Sequence, residues 1–245
     1  MALFLGGYTE KLRGASAAGS AARLCYFTHK AQLTKGGWLT LQKCRGYSIL
    51  WPMTREQIKP QRLSWKQVLE WDQRLTTRLR LEESGGNGWR WAALLAHSGD
   101  SWFWLPALGL IWLFSRGDWH TRSALLAVAV FALAVLVMGI KFTVKRSRPP
   151  GEWGSIYRQT DPHSFPSGHA ARAFLLMLLA WNLGPVWLAL VLTVWAPLVS
   201  LARISTGMHY LSDVLGGAVI GLAAAQLVSF AAPFLISGVP FLFIR

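Results

Sequence analysis

The sequence predicts an all-α fold: a polytopic transmembrane helix bundle of five spans, six if residues 89–97 also dip into the bilayer, with an N-terminal amphipathic helix at the interface. Three observations predict it. Residues 123–140, 173–202 and 214–244 carry no charged side chain. Each of these runs is long enough for one or two crossings, because a hydrocarbon core of ~30 Å needs ~20 helical residues. Apolar residues make up 53% of the 245-residue chain, with 14 Trp, and uncharged runs of this length have no use in a soluble protein. Finally, the polar residues among the runs form three clusters: Lys141-(x6)-Arg148-Pro149, Pro166-Ser167-Gly168-His169 and Arg203-(x5)-His209-(x3)-Asp213.

In chain order, residues 1–63 read as a basic, weakly ordered extension. They mix Gly, Ala, Ser and scattered Lys and Arg without sustained periodicity over residues 1–52. The start has basic residues but no apolar stretch followed by a small-residue cleavage site, so it is not read as a signal peptide. Met53 opens more regular text and is an alternative translation start, which mass spectrometry of the native N-terminus would test. Cys25 and Cys44 have no His or Cys cluster around them and read as ordinary thiols, neither a metal site nor a structural disulfide.

Residues 64–100 read as an interfacial helical segment. Ser64-Trp65-Lys66-Gln67 is a capping box flanked by Leu63 and Val68 as a hydrophobic staple. Val68, Trp71, Leu75 and Leu79 then form a stripe among basic residues, which suits a helix in the headgroup layer, packed against the bundle, or one that merely packs on protein. Glu82 to Gly88 stops it. His97-Ser98-Gly99-Asp100 breaks the apolar text from Trp89 to Phe114, and Ser98 or Asp100 is read as the cap of the following helix rather than as a catalytic group.

Residues 101–238 form the membrane domain, with spans at about 101–115, 122–141, 169–183, 186–203 and 213–236; residues 239–245 are a tail. Trp102, Trp104, Trp112 and Trp153 read as interfacial anchors. Parity then fixes the polar clusters. A helix ending at Lys141, a hairpin leaving after His169 and returning at Arg203, and a helix leaving from Asp213 put all three clusters at one membrane face. Snorkelling alone would explain basic residues at helix ends, but it requires no fixed spacing of Arg, two His and Asp.

Charge says what such a face could hold. Lys141, Arg148 and Arg203 suit a multiply negative tetrahedral group such as phosphate. Ser167 and Gly168 add a hydroxyl and backbone N–H groups at a helix N-terminus, where anions bind. His209, with Asp213 four residues on to fix its tautomer, is the better nucleophile. His169, without a carboxylate near it in sequence, suits the acid that protonates a leaving oxygen.

These three clusters resemble the signature motifs of the type 2 phosphatidic acid phosphatase (PAP2) family, related to the vanadium haloperoxidases, over roughly residues 95–235. One departure is Ala202, where the family commonly has Ser before the third-motif Arg. The resemblance implies a metal-independent, cofactor-free lipid phosphatase with a phosphohistidine on His209, His169 as acid and a cradle of Lys141, Arg148, Ser167, Gly168 and Arg203. The motifs say little about the substrate; the position of the site at the ends of spans favours a lipid phosphate monoester or pyrophosphate whose tail stays in the bilayer, of the phosphatidic acid, phosphatidylglycerol phosphate or undecaprenyl diphosphate type. A phosphotransferase using the same intermediate, a non-enzymatic anionic-lipid-binding module and a vanadate peroxidase are the rival readings.

The formal net charge is +14, and residues 1–90 hold 15 Lys and Arg against six acids. A basic segment of this kind attracts anionic lipid headgroups, at about 1 kcal/mol per cation near the surface. Nucleic-acid binding is the weaker reading, since no recognition motif accompanies the charge. The chain is thus expected as an integral protein of a bacterial plasma (inner) membrane. Its catalytic cations are there for phosphate and do not report which face they occupy.

Overall fold

The computed structural model describes residues 64–82, 86–151 and 159–244, together with the backbone of three short strands nearer the N-terminus. Cys25, Cys44, Met53, Leu63 and Trp153, and the Glu83-Ser84-Gly85 stop, lie outside the described residues. The chain divides into two units, Met1–Arg62 and Leu63–Arg245. In the first, β1 (Gln32–Leu33), β2 (Trp38–Thr40) and β3 (Leu50–Pro52) form an antiparallel sheet in chain order, with Leu39 opposite Leu33 and Trp51.

The second unit is helical, with a single isolated bridge between Ser147 and His163 among its described residues. Its helices are α1 (Trp65–Leu79), α2 (Asn87–Ser98), α3 (Ser101–Phe114), α4 (Asp118–Val144), α5 (Gly168–Leu183), α6 (Val186–Ser205), α7 (Leu211–Gly238) and α8 (Pro240–Phe243). Three of them, α4, α6 and α7, are long and apolar enough to cross a membrane. At 14 and 16 residues, α3 and α5 reach only about 21 and 24 Å at 1.5 Å per residue.

The capping box that opens α1 is formed from both sides. Gln67 N–H donates to Ser64 Oγ at 3.3 Å, and Ser64 N–H donates to Gln67 Oε1 at 2.9 Å. The helix does not bury the stripe that its sequence suggests. Val68, Trp71, Leu75 and Leu79 are exposed, whereas Asp72 and Thr76 are buried. The reason lies in the first turn of α7, whose backbone N–H groups need acceptors. Asp72 Oδ1 accepts from Ser212 N–H at 2.9 Å and Thr76 Oγ1 accepts from Leu211 N–H at 3.0 Å. The polar face of α1 therefore caps another helix, and its apolar face is left outward.

The core runs between α4, α5, α6 and α7, with Leu133, Leu175, Leu176, Leu179, Leu192 and Ala225 among its buried residues. The tightest approach is between α5 and α7. A Cβ on Gly217 would overlap the carbonyl oxygen of Ser167, and one on Gly221 would overlap that of Ala171. Small residues four apart allow such backbone-to-backbone packing. It carries the start of α5 to the start of α7, where Ser167 N–H donates to Asp213 O at 2.9 Å. The C-terminal residues fold back on the far end of the bundle: Phe243 is buried, and Trp112 Nε1–H donates to Leu242 O at 2.8 Å.

This contact gives a stability test. Gly221→Ala is expected to destabilise the bundle by about 1–3 kcal/mol through overpacking, while Gly139→Ala, at a site with open space around it, is expected to be neutral or mildly stabilising. Thermal unfolding of the two variants in detergent reads the difference, and equal midpoints would contradict the packing described.

Candidate active site

Each predicted cluster lies at a helix end. Lys141 occupies the last turn of α4, which stops at Lys145 in the left-handed region (φ 51°). That turn sends the chain back across the bundle end. Ser164 N–H donates to Arg146 O at 2.8 Å and Ser164 Oγ donates to Ser147 O at 3.0 Å, so the strand carrying Arg148 is tied to the one leading into α5. His169 stands in the first turn of α5, Arg203 in the last turn of α6, and His209 in the turn just before α7.

Lys141, Arg148, Gly168, His169, Arg203 and His209 line one cavity of about 210 Å³. The convergence expected from parity is therefore present. Ser167 and Asp213 are fully buried and do not line it. Ser167 is the N-cap of α5, its Oγ accepting from Ala170 N–H at 3.4 Å. Asp213 acts from behind His209.

The electrostatics of the cavity depend on a residue that sequence reasoning did not select. Asp161 Oδ2 pairs with Lys141 Nζ and, at 2.9 Å, with Arg148 Nη2. Arg148 Nε–H also donates to Asp161 O at 2.9 Å, and Lys141 Nζ to His163 O at 3.2 Å. A carboxylate thus sits against two of the three cations where a phosphate oxygen would sit. Any anion entering the cavity must share those donors or displace it.

His209 is 1% exposed and its tautomer can be read from its neighbours. Arg148 Nη1 lies 3.2 Å from His209 Nε2. A guanidinium can only donate, so Nε2 carries the lone pair and the proton is on Nδ1. Asp213 was expected to hold that proton, but its Oδ2 is 3.7 Å from Nδ1, longer than a hydrogen bond. Its oxygens are engaged elsewhere: Oδ2 accepts from Tyr210 N–H at 2.9 Å and Oδ1 from Arg146 Nη1 at 2.7 Å. Asp213 therefore lies beside His209 without a hydrogen bond to it while closing the N-terminus of α7. Burial, and then the charges of Arg203, Arg148 and Lys141, hold the His209 imidazole well below its ordinary value of 6.5. The ring is neutral at neutral pH, with the Nε2 lone pair turned toward Arg148.

His169 differs from the expectation in the opposite sense. It has a carboxylate partner after all, Asp100, whose Oδ1 is 2.5 Å from Nε2. Asp100 does occupy the N-cap position of α3, as its sequence context suggests, but its side chain makes no capping hydrogen bond. The carboxylate spans two imidazoles instead, its Oδ2 lying 3.0 Å from His97 Nδ1. Nothing in the sequence, where the two stand 69 positions apart, signals this pairing.

Arg146 was likewise indistinguishable, in sequence, from its basic neighbours. It bridges Asp213 and Asp72, at 2.7 and 2.6 Å, and lies 4.1 Å over the ring of Tyr210. Arg172 was not singled out either, and its Nη1 donates to Gly99 O.

The rest of the cavity is hydrocarbon. Val130, Leu133, Ala134, Val137 and Met138 line it along α4. They follow helical spacing on one face, and 11 residues from Val130 to Lys141 correspond to about 16 Å of helix. Trp102, from α3, also lines it. A cationic end with two imidazoles thus opens onto an apolar groove on a long, apolar helix.

Comparison with known proteins agrees with this architecture. The PAP2 superfamily matches residues 122–235. The decaprenylphosphoryl-5-phosphoribose phosphatase of Mycobacterium tuberculosis is 35% identical over 139 residues, 55% of this chain and 75% of that protein. The lipid A 4'-phosphatase of Bacteroides thetaiotaomicron is 26% identical over 169 residues, 63% of this chain and 75% of that protein. The undecaprenyl-diphosphatase of Sulfolobus acidocaldarius is 27% identical over 133 residues, 52% of this chain and 62% of that protein, so the chain spans less than two thirds of its length. Among solved structures, the transmembrane PAP2-type phosphatidylglycerolphosphate phosphatase of Bacillus subtilis has the same fold, with a TM-score of 0.56 and 23% identity over 69% of this chain and 87% of that one. With 35% identity across three quarters of a named phosphatase and a family match over the segment that carries α4 to α7, the chain belongs to the PAP2 superfamily.

Proposed function

We propose that the protein is a membrane-embedded, metal-independent phosphatase acting on lipid phosphate monoesters or pyrophosphates through a phosphohistidine on His209. The observation that carries this reading is the cavity itself: a neutral imidazole lone pair among Lys141, Arg148 and Arg203 at the head of an apolar groove along α4. A phosphate head enters the cationic end while its acyl or prenyl tail stays against Val130, Leu133 and Val137. His209 Nε2 attacks phosphorus in line and His169 protonates the departing oxygen. Water then hydrolyses the phosphohistidine with His169 as base. Fixed cations around the equatorial oxygens supply most of the stabilisation.

The substrate class is that of phosphatidic acid, phosphatidylglycerol phosphate or undecaprenyl diphosphate. Related proteins named for undecaprenyl diphosphate, lipid A and a decaprenylphosphoryl sugar support a substrate with a long apolar anchor. The bundle is read as five spans, with α3 and α5 completing the three longer helices. The outward apolar face of α1, with Trp71 and Leu75, suits the interfacial layer. The basic extension of residues 1–63 suits anionic headgroups, and a bacterial inner membrane provides both.

A panel of glycerophospholipid and prenyl phosphates assayed in detergent tests this reading. Wild type is expected to release inorganic phosphate without an added acceptor; a strict requirement for an acceptor would make it a phosphotransferase. His209→Ala is expected to abolish release and to lose an acid-labile labelled adduct, and an active variant would refute the nucleophile. EDTA is expected to leave the rate unchanged.

A pH test follows from the buried imidazole. The unfolded chain takes up a proton near 6.5 that the folded site refuses, so the contribution of His209 to stability is complete above that pH and is lost as pH falls below it. The unfolding free energy is expected to fall between pH 6.5 and 5, by at most about 1.4 kcal/mol per pH unit from this group, and the thermal midpoint with it. His209→Asn is expected to flatten that part of the profile.

A further inference from the structure

The proposed mechanism gives His169 two tasks, donating a proton to the leaving oxygen and later accepting one from water. Both depend on which ring nitrogen faces the substrate. The structure provides a means of fixing this that lies outside the three clusters. Asp100 is 6% exposed, and its Oδ1 lies 2.5 Å from His169 Nε2. A carboxylate accepts, so Nε2 is held as N–H and Nδ1 is left as the nitrogen that can exchange a proton with substrate.

The turn bearing Asp100 is itself fixed from several sides. Arg172 donates to Gly99 O, Trp104 Nε1–H donates to Ser98 O at 3.0 Å, and Trp195 Nε1–H donates to Ser98 Oγ at 2.9 Å. Gly99 lies so close that a Cβ there would come to 3.1 Å from His169 Cδ2 and 2.9 Å from Val199 Cγ1. His97 Nδ1, at 3.0 Å, engages the second carboxylate oxygen and sets the plane of the group.

We propose that Asp100 is the positioning residue for the catalytic acid: it holds the Nε2–H of His169 so that the proton delivered to the leaving oxygen comes from Nδ1. This inference rests on the phosphatase reading above. His169 enters the cycle as the imidazolium, with N–H at both nitrogens and its charge answered by the Asp100 carboxylate; as the phosphorus–oxygen bond breaks, its electron pair goes to the leaving oxygen, which takes the Nδ1 proton. The N–H pair stays on His169 as the Nδ1 lone pair. In the second step that lone pair takes a proton from the attacking water, whose oxygen bonds to phosphorus as the bond to His209 breaks. Nε2 keeps its hydrogen throughout and Asp100 stays ionised, so the cycle returns to its start with one water consumed. An acid held this way matters only where the leaving group needs a proton.

The experiment compares two leaving groups: a lipid phosphomonoester, whose alkoxide cannot depart unprotonated, and p-nitrophenyl phosphate, whose phenolate can. Asp100→Asn, His169→Ala and the double variant are measured beside wild type in detergent. Asp100→Asn is expected to lower kcat on the lipid ester at least about tenfold more than on p-nitrophenyl phosphate, within the range that a general acid supplies. It is also expected to cost nothing further in the His169→Ala background, because the two residues act as one unit. Equal loss on both substrates, or the same loss again on top of His169→Ala, would overturn the proposal. Gly99→Ala is a second route if Asp100→Asn does not fold. It keeps the carboxylate but drives the turn against the His169 ring, so the same selective loss is expected, and a uniform loss counts against the role. A wild type that releases phosphate from neither substrate overturns the phosphatase reading itself, and shows this before any substitution is made.

Discussion

Holding several cations together at one end of a hydrocarbon bundle is the constraint from which the remaining architecture follows. Lys141, Arg172 and Arg203 are buried, and Arg146 and Arg148 lie in the same region. Cations out of water are costly unless answered by anions or carbonyl oxygens. Here the answers come from distant segments: Asp161 to Lys141 and Arg148, Asp72 and Asp213 to Arg146, the carbonyl of Gly99 to Arg172 and that of Met208 to Arg148. Each pairing joins two parts of the chain. The charge gathered at the cavity is therefore also what ties the connecting segments to the bundle.

The same economy explains α1. A helix with an apolar stripe would ordinarily bury it, yet here Asp72 and Thr76 face the protein. They serve two needs that no nearer residue meets, the open N–H groups at the start of α7 and the second side of Arg146. Arg80 extends the attachment, donating to Pro150 O at 2.5 Å, and Leu81 N–H donates to Ser205 O at 2.9 Å. The outward apolar stripe is the consequence. The sequence pattern was thus a sound guide to the helix and its stripe, but gave no sign that Asp72 and Thr76 would meet the protein.

What could be read from sequence and what could not divide along physical lines. Lys141, Arg148, His169, Arg203 and His209 were legible because uncharged runs and helix parity force their convergence, and all five line one cavity. The helices were legible for the same reason, although α4 extends to Val144 and α7 begins at Leu211, beyond the apolar limits of their spans. Asp100 and Asp161 were not, because a carboxylate that answers a charge across 69 or 20 residues leaves no periodic trace. Neither was the approach of α5 to α7 through Gly217 and Gly221, which depends on what small residues permit rather than on what they contact. Asp213 lay between the two cases: its position beside His209 was legible, but its hydrogen bonds were already committed to Arg146 and Tyr210.

Two histidines in one cavity must still be told apart, since identical imidazoles would compete for the same role. Their chemistry is separated by what faces each ring. At His209 the neighbour of Nε2 is a guanidinium, which can only donate and so leaves a lone pair there. At His169 the neighbour of Nε2 is a carboxylate, which can only accept while ionised and so demands a hydrogen. A donor opposite one ring and an acceptor opposite the other leave a lone pair at Nε2 of His209 and a hydrogen at Nε2 of His169. The spacing of neither histidine in sequence carries that distinction; it arises because Asp100, just before α3, and Arg148, just after α4, meet at the same cavity.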